Sequence, residues 1–249
     1  MFIKKIAPAD LVTLGNGLLG FLAILYLFDG GERAYIIATT LLFLAILTDG
    51  FDGYVARHTK TRHHLGVYFD SMSDTVSFCF APAILIYANF YNVQRGTAFE
   101  DLQNFMTMLA SSSVFILGVI RLAQFSYLKE DELPYFEGIA TPAMTYFIII
   151  FIMLFHDYVY FCLVVIILVS TLMLSGFHYP KVRGKVVPAA LVSLLTAILS
   201  SLFQFKESSF RYIPMIISFL MICLYFLYPI FEKIKKEKRK LLSFLSSSQ

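Results

Sequence analysis

The chain has 249 residues, of which 58% are hydrophobic and 15% are charged. An average soluble domain carries about 25% charged residues, so this composition disfavours a soluble enzyme and indicates a membrane protein with helices that are apolar on nearly every side. It excludes an intrinsically disordered protein, a nucleic-acid-binding domain and a disulfide-stapled secreted module, because each needs high charge, a basic face or many cysteines.

Eight apolar stretches approach the length of a membrane-spanning helix, which needs about 20 residues. They cover residues 10–28, 34–56, 65–90, 104–127, 138–156, 158–176, 186–204 and 212–231. We therefore predict an all-α, polytopic transmembrane helical bundle with a six-helix core (1–178), a C-terminal two-helix extension (179–231) and a basic tail (232–249). We expect the extension to be scaffold without polar clusters, and the tail either to fray or to lie on anionic lipid headgroups.

Lysine and arginine concentrate on one side of this predicted topology. With the N-terminus in the cytoplasm, 15 of the 20 basic residues fall on the cytoplasmic side and 4 on the other, while Arg121 lies inside a span. Short cytoplasmic loops are enriched in these residues. An even number of spans also returns the chain to its starting side, so we predict that both termini are cytoplasmic.

Four aspartates, Asp49, Asp52, Asp70 and Asp74, stand in otherwise apolar sequence. Even on a lenient insertion scale, one aspartate at mid-bilayer costs about 2.5–3.5 kcal/mol. Helical spacing puts the first two on one face of the second span and the other two on one face of the third. Because a short cytoplasmic loop joins these spans, we expect the four carboxylates to converge near the cytoplasmic surface.

The four carboxylates cannot all ionise side by side without a positive counter-charge. Arg57 supplies one cation, and hard divalent ions prefer carboxylate and phosphate oxygens, so we infer a site for two divalent cations. Gly53 and Gly66 lie on the same helical faces and would let a ligand or a backbone approach closely. The alternative is that the aspartates cap helices or neutralise the basic loop 58–64.

The same residues form the pattern D-x2-D-G-x2-A-R-x8-G-x3-D-x3-D, which is typical of the CDP-alcohol phosphatidyltransferases. Its fixed positions are Asp49, Asp52, Gly53, Ala56, Arg57, Gly66, Asp70 and Asp74. The chain resembles this family over about residues 8–178. The resemblance implies a homodimer that transfers a phosphatidyl-type group from a CDP-linked lipid to an alcohol, with release of CMP, on the cytoplasmic side of the membrane.

The resemblance also implies roles for individual residues. Asp49, Asp52 and Asp70 would hold two divalent cations, Mg²⁺ or Mn²⁺. Asp74 would border these ions as a further ligand and act as the general base that takes the proton of the alcohol. The residues implied in nucleotide and diphosphate binding are Gly53, Ala56, Arg57 and Gly66, with Thr13 and Asn16 as residues that either reach the nucleotide or pack helices together.

The segments 9–17, 70–83 and 136–143 and the pair Arg121-Leu122 are similar to the serine-using branch of the family. Arg121 lies inside a span, so it should face the bundle and have an anionic partner. The carboxylate of a serine acceptor suits a planar guanidinium, although an aspartate or a phosphate is an alternative partner. Ser71 is a second candidate for acceptor binding.

These residues predict transfer from CDP-diacylglycerol or CDP-archaeol to L-serine. Glycerol 3-phosphate and inositol phosphate remain alternative acceptors. A cation transporter would be a function of another class, with the aspartates as its ion path. A transporter needs polar groups that lead to both membrane faces, whereas the predicted cluster lies at one end of two spans, so the transferase is favoured.

Overall fold

The computed structural model describes residues 8–59, 64–92, 97–128, 135–180, 186–204 and 212–247. Its elements in chain order are α1 (Pro8–Asp29), α2 (Gly31–Thr59), α3 (His64–Asp74), a π-helical turn (Thr75–Phe80), α4 (Ala81–Phe90), α5 (Ala98–Tyr127), β1 (Tyr135–Glu137), α6 (Thr141–Phe155), α7 (Val159–Thr171), a 3-10 turn (Leu172–Leu174), β2 (His178–Pro180), α8 (Val186–Gln204) and α9 (Tyr212–Ser247). Each of the eight predicted spans contains a helix, and the helical bundle is confirmed.

The protein is an integral membrane protein. Five stretches of the described residues are long and apolar enough to cross a membrane: Asp10–Asp29, Gly31–Phe51, Gly66–Phe90, Ala98–Tyr127 and Tyr212–Phe231. The remaining apolar helices are shorter and cover Thr141–Phe155, Val159–Leu174 and Ala190–Ser201. Large apolar side chains also point outwards, among them Leu11, Leu18 and Leu25 at seven-residue spacing on α1, which is the surface that a lipid-facing helix presents.

Helix α1 crosses α3 and the π-helical turn at very short range. A Cβ atom at Gly17 would lie 2.9 Å from Ser73 Oγ, and one at Gly20 would lie 2.6 Å from Ser77 Cα. Neither position has room for a side chain, and small residues are what allow helix backbones to approach closely in membranes. The crossing brings the buried polar residues of α1 up against the third span.

The third span is one continuous helix from His64 to Phe90 that contains the π-helical turn. Pro82 follows this turn, lacks an N–H and cannot bond the carbonyl four residues back, which belongs to Phe78. The Thr145 hydroxyl donates a hydrogen bond to that carbonyl at 3.2 Å. Single π-helical turns often occur at functional sites, and this one begins directly after Asp74.

A short strand pairing interrupts the predicted all-α pattern. Strands β1 and β2 pair antiparallel, with Phe136 opposite Tyr179. Gly138 follows β1 with a φ of +89°, and a side chain there would collide with the Met173 carbonyl oxygen. The turn and the strand take up residues 135–140, so α6 begins at Thr141 and not at the predicted residue 138. The pairing ties together the segments that flank α6 and α7.

The extension joins the core through hydrogen bonds as well as apolar contacts. The Tyr146 hydroxyl on α6 lies 2.6 Å from Ser193 Oγ on α8, and the Thr40 hydroxyl on α2 bonds Ser201 on α8. The expectation that the last two spans lack polar clusters was therefore wrong, because their serines are buried against the core. Helix α9 runs on to Ser247, so most of the tail continues the helix and is not a frayed end.

Candidate active site

Three of the four predicted aspartates meet between α2 and α3, which both pack against α1. Asp49, Asp70 and Asp74 each place one carboxylate oxygen within 4.8 Å of the others. Asp74 is 9% exposed, and the other two side chains are partly buried. Clustered carboxylate oxygens are the ligands that hard divalent cations prefer, and carboxylates this close cannot all ionise without a positive counter-charge. The residues present therefore fit a divalent-metal site.

The other predicted residues of the second span continue α2, which remains helical through Thr59. A helical backbone keeps the first three of these positions in their i+3, i+4 and i+7 relation to Asp49, and the fourth follows at i+8. Their side chains lie outside the part of the chain that the structure describes, so their metal and nucleotide roles stay predictions. These residues are Asp52, Gly53, Ala56 and Arg57.

Asn16 on α1 contacts the aspartate cluster directly. Its Nδ2 donates a hydrogen bond to Asp74 Oδ1 at 3.0 Å, and the Asn16 side chain is fully buried. The Ser77 hydroxyl donates to the Asn16 backbone carbonyl at 2.9 Å, which fixes this point of α1 against the π-helical turn. The sequence suggested a nucleotide contact or helix packing for Asn16, and the structure shows it holding one oxygen of Asp74.

Two further polar residues extend the buried polar side of α1. Thr13 is buried one turn before Asn16, and Asp10, one turn earlier again, is 4% exposed. A Cβ atom at Gly66 would lie 2.8 Å from Asp10 Oδ1, so the Asp10 carboxylate approaches the α3 backbone closely at this glycine. Asp10 is not among the site residues predicted from the sequence. The available signal was its three-residue spacing with Thr13 and Asn16 in an apolar helix.

Arg121 faces the interior of the bundle, as its place inside a span predicts. Its side chain is 2% exposed. The guanidinium carbon lies 6.0 Å from the centre of the Phe125 ring. The ring of Phe125 therefore lies beside this buried cation.

The depth of Arg121 follows from two contacts between α5 and the third span. Ser71 Oγ lies 3.5 Å from Ser126 Oγ, and a Cβ atom at Gly118 would lie 2.8 Å from Cys79 Sγ. Residue 71 thus lies beside 126, and residue 79 lies beside 118, so α5 and the third span are antiparallel. By this register, Arg121 lies level with residues 74–76. Arg121 and Ser71 thus both lie near the level of the aspartate cluster, and their acceptor-binding roles stay predictions.

Comparison with known proteins identifies the class of this arrangement. Residues 7–176 match the profile of the CDP-alcohol phosphatidyltransferases. The chain is 33% identical over 183 residues to the CDP-diacylglycerol–serine O-phosphatidyltransferase of Methanocaldococcus jannaschii. This alignment covers 74% of this chain and 78% of that protein. It is 34% identical over 181 residues to the archaetidylserine synthase of Methanothermobacter thermautotrophicus. This alignment covers 72% of each of the two proteins.

A bacterial relative shows a similar match. The chain is 30% identical over 183 residues to the CDP-diacylglycerol–serine O-phosphatidyltransferase of Helicobacter pylori, and the alignment covers 70% of this chain and 72% of that protein. The profile covers more than half of the chain, so the protein belongs to the CDP-alcohol phosphatidyltransferase family. Helices α8 and α9 lie beyond the residues that the profile matches.

Proposed function

We propose that this enzyme transfers a phosphatidyl or archaetidyl group from a CDP-linked lipid to the hydroxyl group of L-serine and releases CMP. The observation that carries the proposal is the convergence of Asp49, Asp70 and Asp74 with the buried cation Arg121 near the same depth. The names of the three relatives support serine as the acceptor, since each is a serine transferase or an archaetidylserine synthase.

In the proposed reaction, the serine oxygen bonds to the phosphorus that carries the lipid. The bond from that phosphorus to the oxygen bridging the diphosphate breaks, and CMP leaves with the bonding electrons. Asp74 accepts the hydroxyl proton as the general base, and its hydrogen bond from Asn16 holds the carboxylate in one orientation. Asp49, Asp52 and Asp70, bordered by Asp74, would hold two divalent cations, Mg²⁺ or Mn²⁺, which when bound neutralise charge on the diphosphate.

The substrates are proposed to occupy opposite sides of Asp74. Arg121 and Ser71 would lie on the acceptor side, where the guanidinium pairs with the single carboxylate of serine. The nucleotide and its diphosphate would contact residues of the first three spans, namely Thr13, Asn16, Gly53, Ala56, Arg57 and Gly66. The distribution of basic residues supports a cytoplasmic site and cytoplasmic termini, and the family resemblance supports a homodimer.

The other acceptors differ from serine in charge. Glycerol 3-phosphate and inositol phosphate each bring a phosphate group, whereas Arg121 offers one buried positive charge among the described residues of the spans. This balance favours an acceptor with one carboxylate. Membership of a family of transferases also supports an enzyme over the alternative of a cation transporter.

The direct test measures CMP release by the purified full-length protein. CDP-diacylglycerol and CDP-archaeol are supplied separately, each with L-serine, ethanolamine, glycerol 3-phosphate or inositol phosphate, and a reaction without acceptor corrects for hydrolysis. We expect L-serine to stimulate CMP release most strongly. Stimulation by a different acceptor would overturn the serine assignment, and no acceptor-dependent CMP with any alcohol would overturn the proposed reaction.

A further inference from the structure

The third span receives a hydrogen bond from α6 one turn after the proposed base. We propose that Thr145 on α6 is a positioning residue for Asp74, because its hydroxyl satisfies the Phe78 carbonyl and so holds the π-helical turn that begins after Asp74. The inference rests on the proposed function, since it assumes that Asp74 is the general base. It gives a part in the reaction to a helix that contributes none of the predicted metal or substrate ligands.

The π-helical turn leaves the Phe78 carbonyl without an N–H partner at the usual four-residue spacing. In this turn the Ala81 N–H bonds the Val76 carbonyl, five residues back, and Pro82 has no N–H to offer. Phe78 is 1% exposed and lies inside the candidate membrane span of residues 66–90. Within the hydrocarbon region no water is available, so a backbone carbonyl needs a partner in the protein itself.

Thr145 supplies this partner. Its side chain is fully buried, and its hydroxyl oxygen lies 3.2 Å from the Phe78 carbonyl oxygen and 3.1 Å from the Thr141 carbonyl oxygen. Thr141 begins α6, and its carbonyl belongs to the backbone ladder of that helix, in which each N–H bonds the carbonyl four residues back. The Phe78 carbonyl has no such bond from Pro82. Loss of the hydroxyl would therefore affect the Phe78 carbonyl more than the Thr141 carbonyl.

Helix α6 is held firmly inside the bundle. All residues from Met144 to Met153 are buried. Tyr146 donates a hydrogen bond to the Ser193 carbonyl on α8 at 2.9 Å. The Phe147 ring lies 5.2 Å from the Phe226 ring on α9. Close-packed interiors transmit displacements instead of absorbing them, so the hydroxyl of residue 145 acts on the third span from a fixed position.

The π-helical turn connects this hydrogen bond to Asp74. One extra residue in a helical turn rotates the two parts of the helix by about 100° relative to each other, so the turn sets the direction in which Asp74 projects. The Ser77 hydroxyl, within the same turn, bonds the Asn16 backbone carbonyl at 2.9 Å, and the Asn16 amide bonds Asp74 at 3.0 Å. A shift of the turn would disturb both contacts. Loss of the Thr145 hydroxyl should therefore slow proton transfer more than it weakens substrate binding.

The test compares Thr145→Val with Thr39→Val in the full-length enzyme, since valine keeps the shape of threonine without its hydroxyl. Thr39 is equally buried, and its hydroxyl donates within its own helix, to the carbonyls of Tyr35 and Ile36. We expect Thr145→Val to lower kcat for CMP release by about two- to tenfold, the effect of one modest hydrogen bond, with both KM values within about twofold of wild type. Thr39→Val should leave kcat unchanged, and Thr145→Ser, which keeps the hydroxyl, should retain it.

A second background separates positioning from a general loss of stability. Pro82→Ala supplies an N–H that can bond the Phe78 carbonyl, so in this background Thr145→Val should change kcat by less than about twofold. This comparison remains measurable even where Thr145→Val alone does not fold.

Three results would overturn the inference: an unchanged kcat in Thr145→Val, no recovery of kcat in Thr145→Ser, or an equally large loss of kcat in the Pro82→Ala background. KM values that rise as much as kcat falls would also overturn it, because they would indicate a general structural effect. Near-normal turnover in Asp74→Asn would instead overturn the proposed base, and with it this inference.

Discussion

Asn16 and Asp74 are 58 residues apart in the chain, and the buried Asn16 amide donates a 3.0 Å hydrogen bond to the Asp74 carboxylate. The neutral Asn16 amide thus fixes the position of one Asp74 carboxylate oxygen. The Asn16 Oδ1 atom is buried and makes no hydrogen bond to the described residues. A buried polar atom left unsatisfied is costly, so helix packing alone does not account for an asparagine at this position.

Replacement of Asn16 by leucine should lower kcat, because the base loses the group that orients it. One hydrogen bond to a charged group contributes about 1.5–3 kcal/mol, which corresponds to about a ten- to hundredfold loss. Steady-state assays of CMP release measure the effect. Asn89→Ala is the control, since among the described residues Asn89 donates its hydrogen bond within its own helix, to the Leu85 carbonyl. Wild-type kcat in Asn16→Leu would exclude a positioning role.

Removal of divalent cations should abolish activity, and Mg²⁺ or Mn²⁺ should restore it, because the clustered carboxylates need a counter-charge. Asp49→Asn should bind less metal, as measured by elemental analysis of the purified protein. Asp101→Asn on the exposed start of α5 is the matched control. Full activity in a chelated preparation that contains no metal would contradict the two-cation site.

Asp74→Asn should reduce turnover severely while CDP-lipid still binds, because the amide keeps the shape of the carboxylate but cannot accept a proton. Single-turnover kinetics and a binding titration with CDP-lipid separate the two effects. By contrast, Asp49→Ala should weaken metal and nucleotide binding together. Near-normal turnover in Asp74→Asn would mean that a different group is the base.

Gly20→Ala should destabilise the protein by about 1–3 kcal/mol, the usual effect of overpacking, because the new methyl group would collide with Ser77 Cα. To relieve this collision, α1 would have to move away from the π-helical turn. This movement should carry Asn16 away from Asp74 and lower activity. Gly15→Ala on the same helix is the control, as a Cβ atom there has no contact within 4 Å. Thermal unfolding in detergent measures both variants, and equal stabilities would contradict the close crossing.

Arg121→Lys should lower kcat/KM for serine by about ten- to hundredfold, mainly through KM, because lysine keeps the charge but loses the planar two-pronged contact. KM for the CDP-lipid should change little. Ethanolamine, which has the amine and hydroxyl of serine without its carboxylate, should be a poor substrate for the wild-type enzyme. Equal use of ethanolamine and serine would contradict the proposed contact between Arg121 and the serine carboxylate.

The sequence predicts those features that depend on local composition or on helical spacing. The spans follow from runs of apolar residues, and the meeting of Asp49, Asp70 and Asp74 follows from their spacing on two helices joined by a short loop. The Asn16–Asp74 bond depends on how α1 crosses α3, which no spacing within one helix reveals. The crossing distance itself depends on Gly20, whose packing role appears only beside Ser77.

The strand pairing and the role of the extension could not be predicted for a related reason. Strands β1 and β2 have three residues each and lie 43 residues apart, counted from Phe136 to Tyr179, so neither gives a detectable alternation. The serines of α8 are scattered in an apolar helix, and only the positions of Tyr146 and Thr40 show that they form hydrogen bonds. Tertiary packing decides these features, and local sequence does not record it.

The identity of the lipid product tests most directly whether this enzyme attaches serine to a CDP-linked lipid, as proposed. Isotope-labelled L-serine, unlabelled ethanolamine, glycerol 3-phosphate and inositol phosphate are offered together with CDP-lipid and Mg²⁺ or Mn²⁺, and mass spectrometry of the lipid extract identifies the product. We expect a labelled phosphatidylserine or archaetidylserine, formed by wild type and not by Asp74→Asn. A product that carries another headgroup, or labelled product of equal amount from Asp74→Asn, would contradict it.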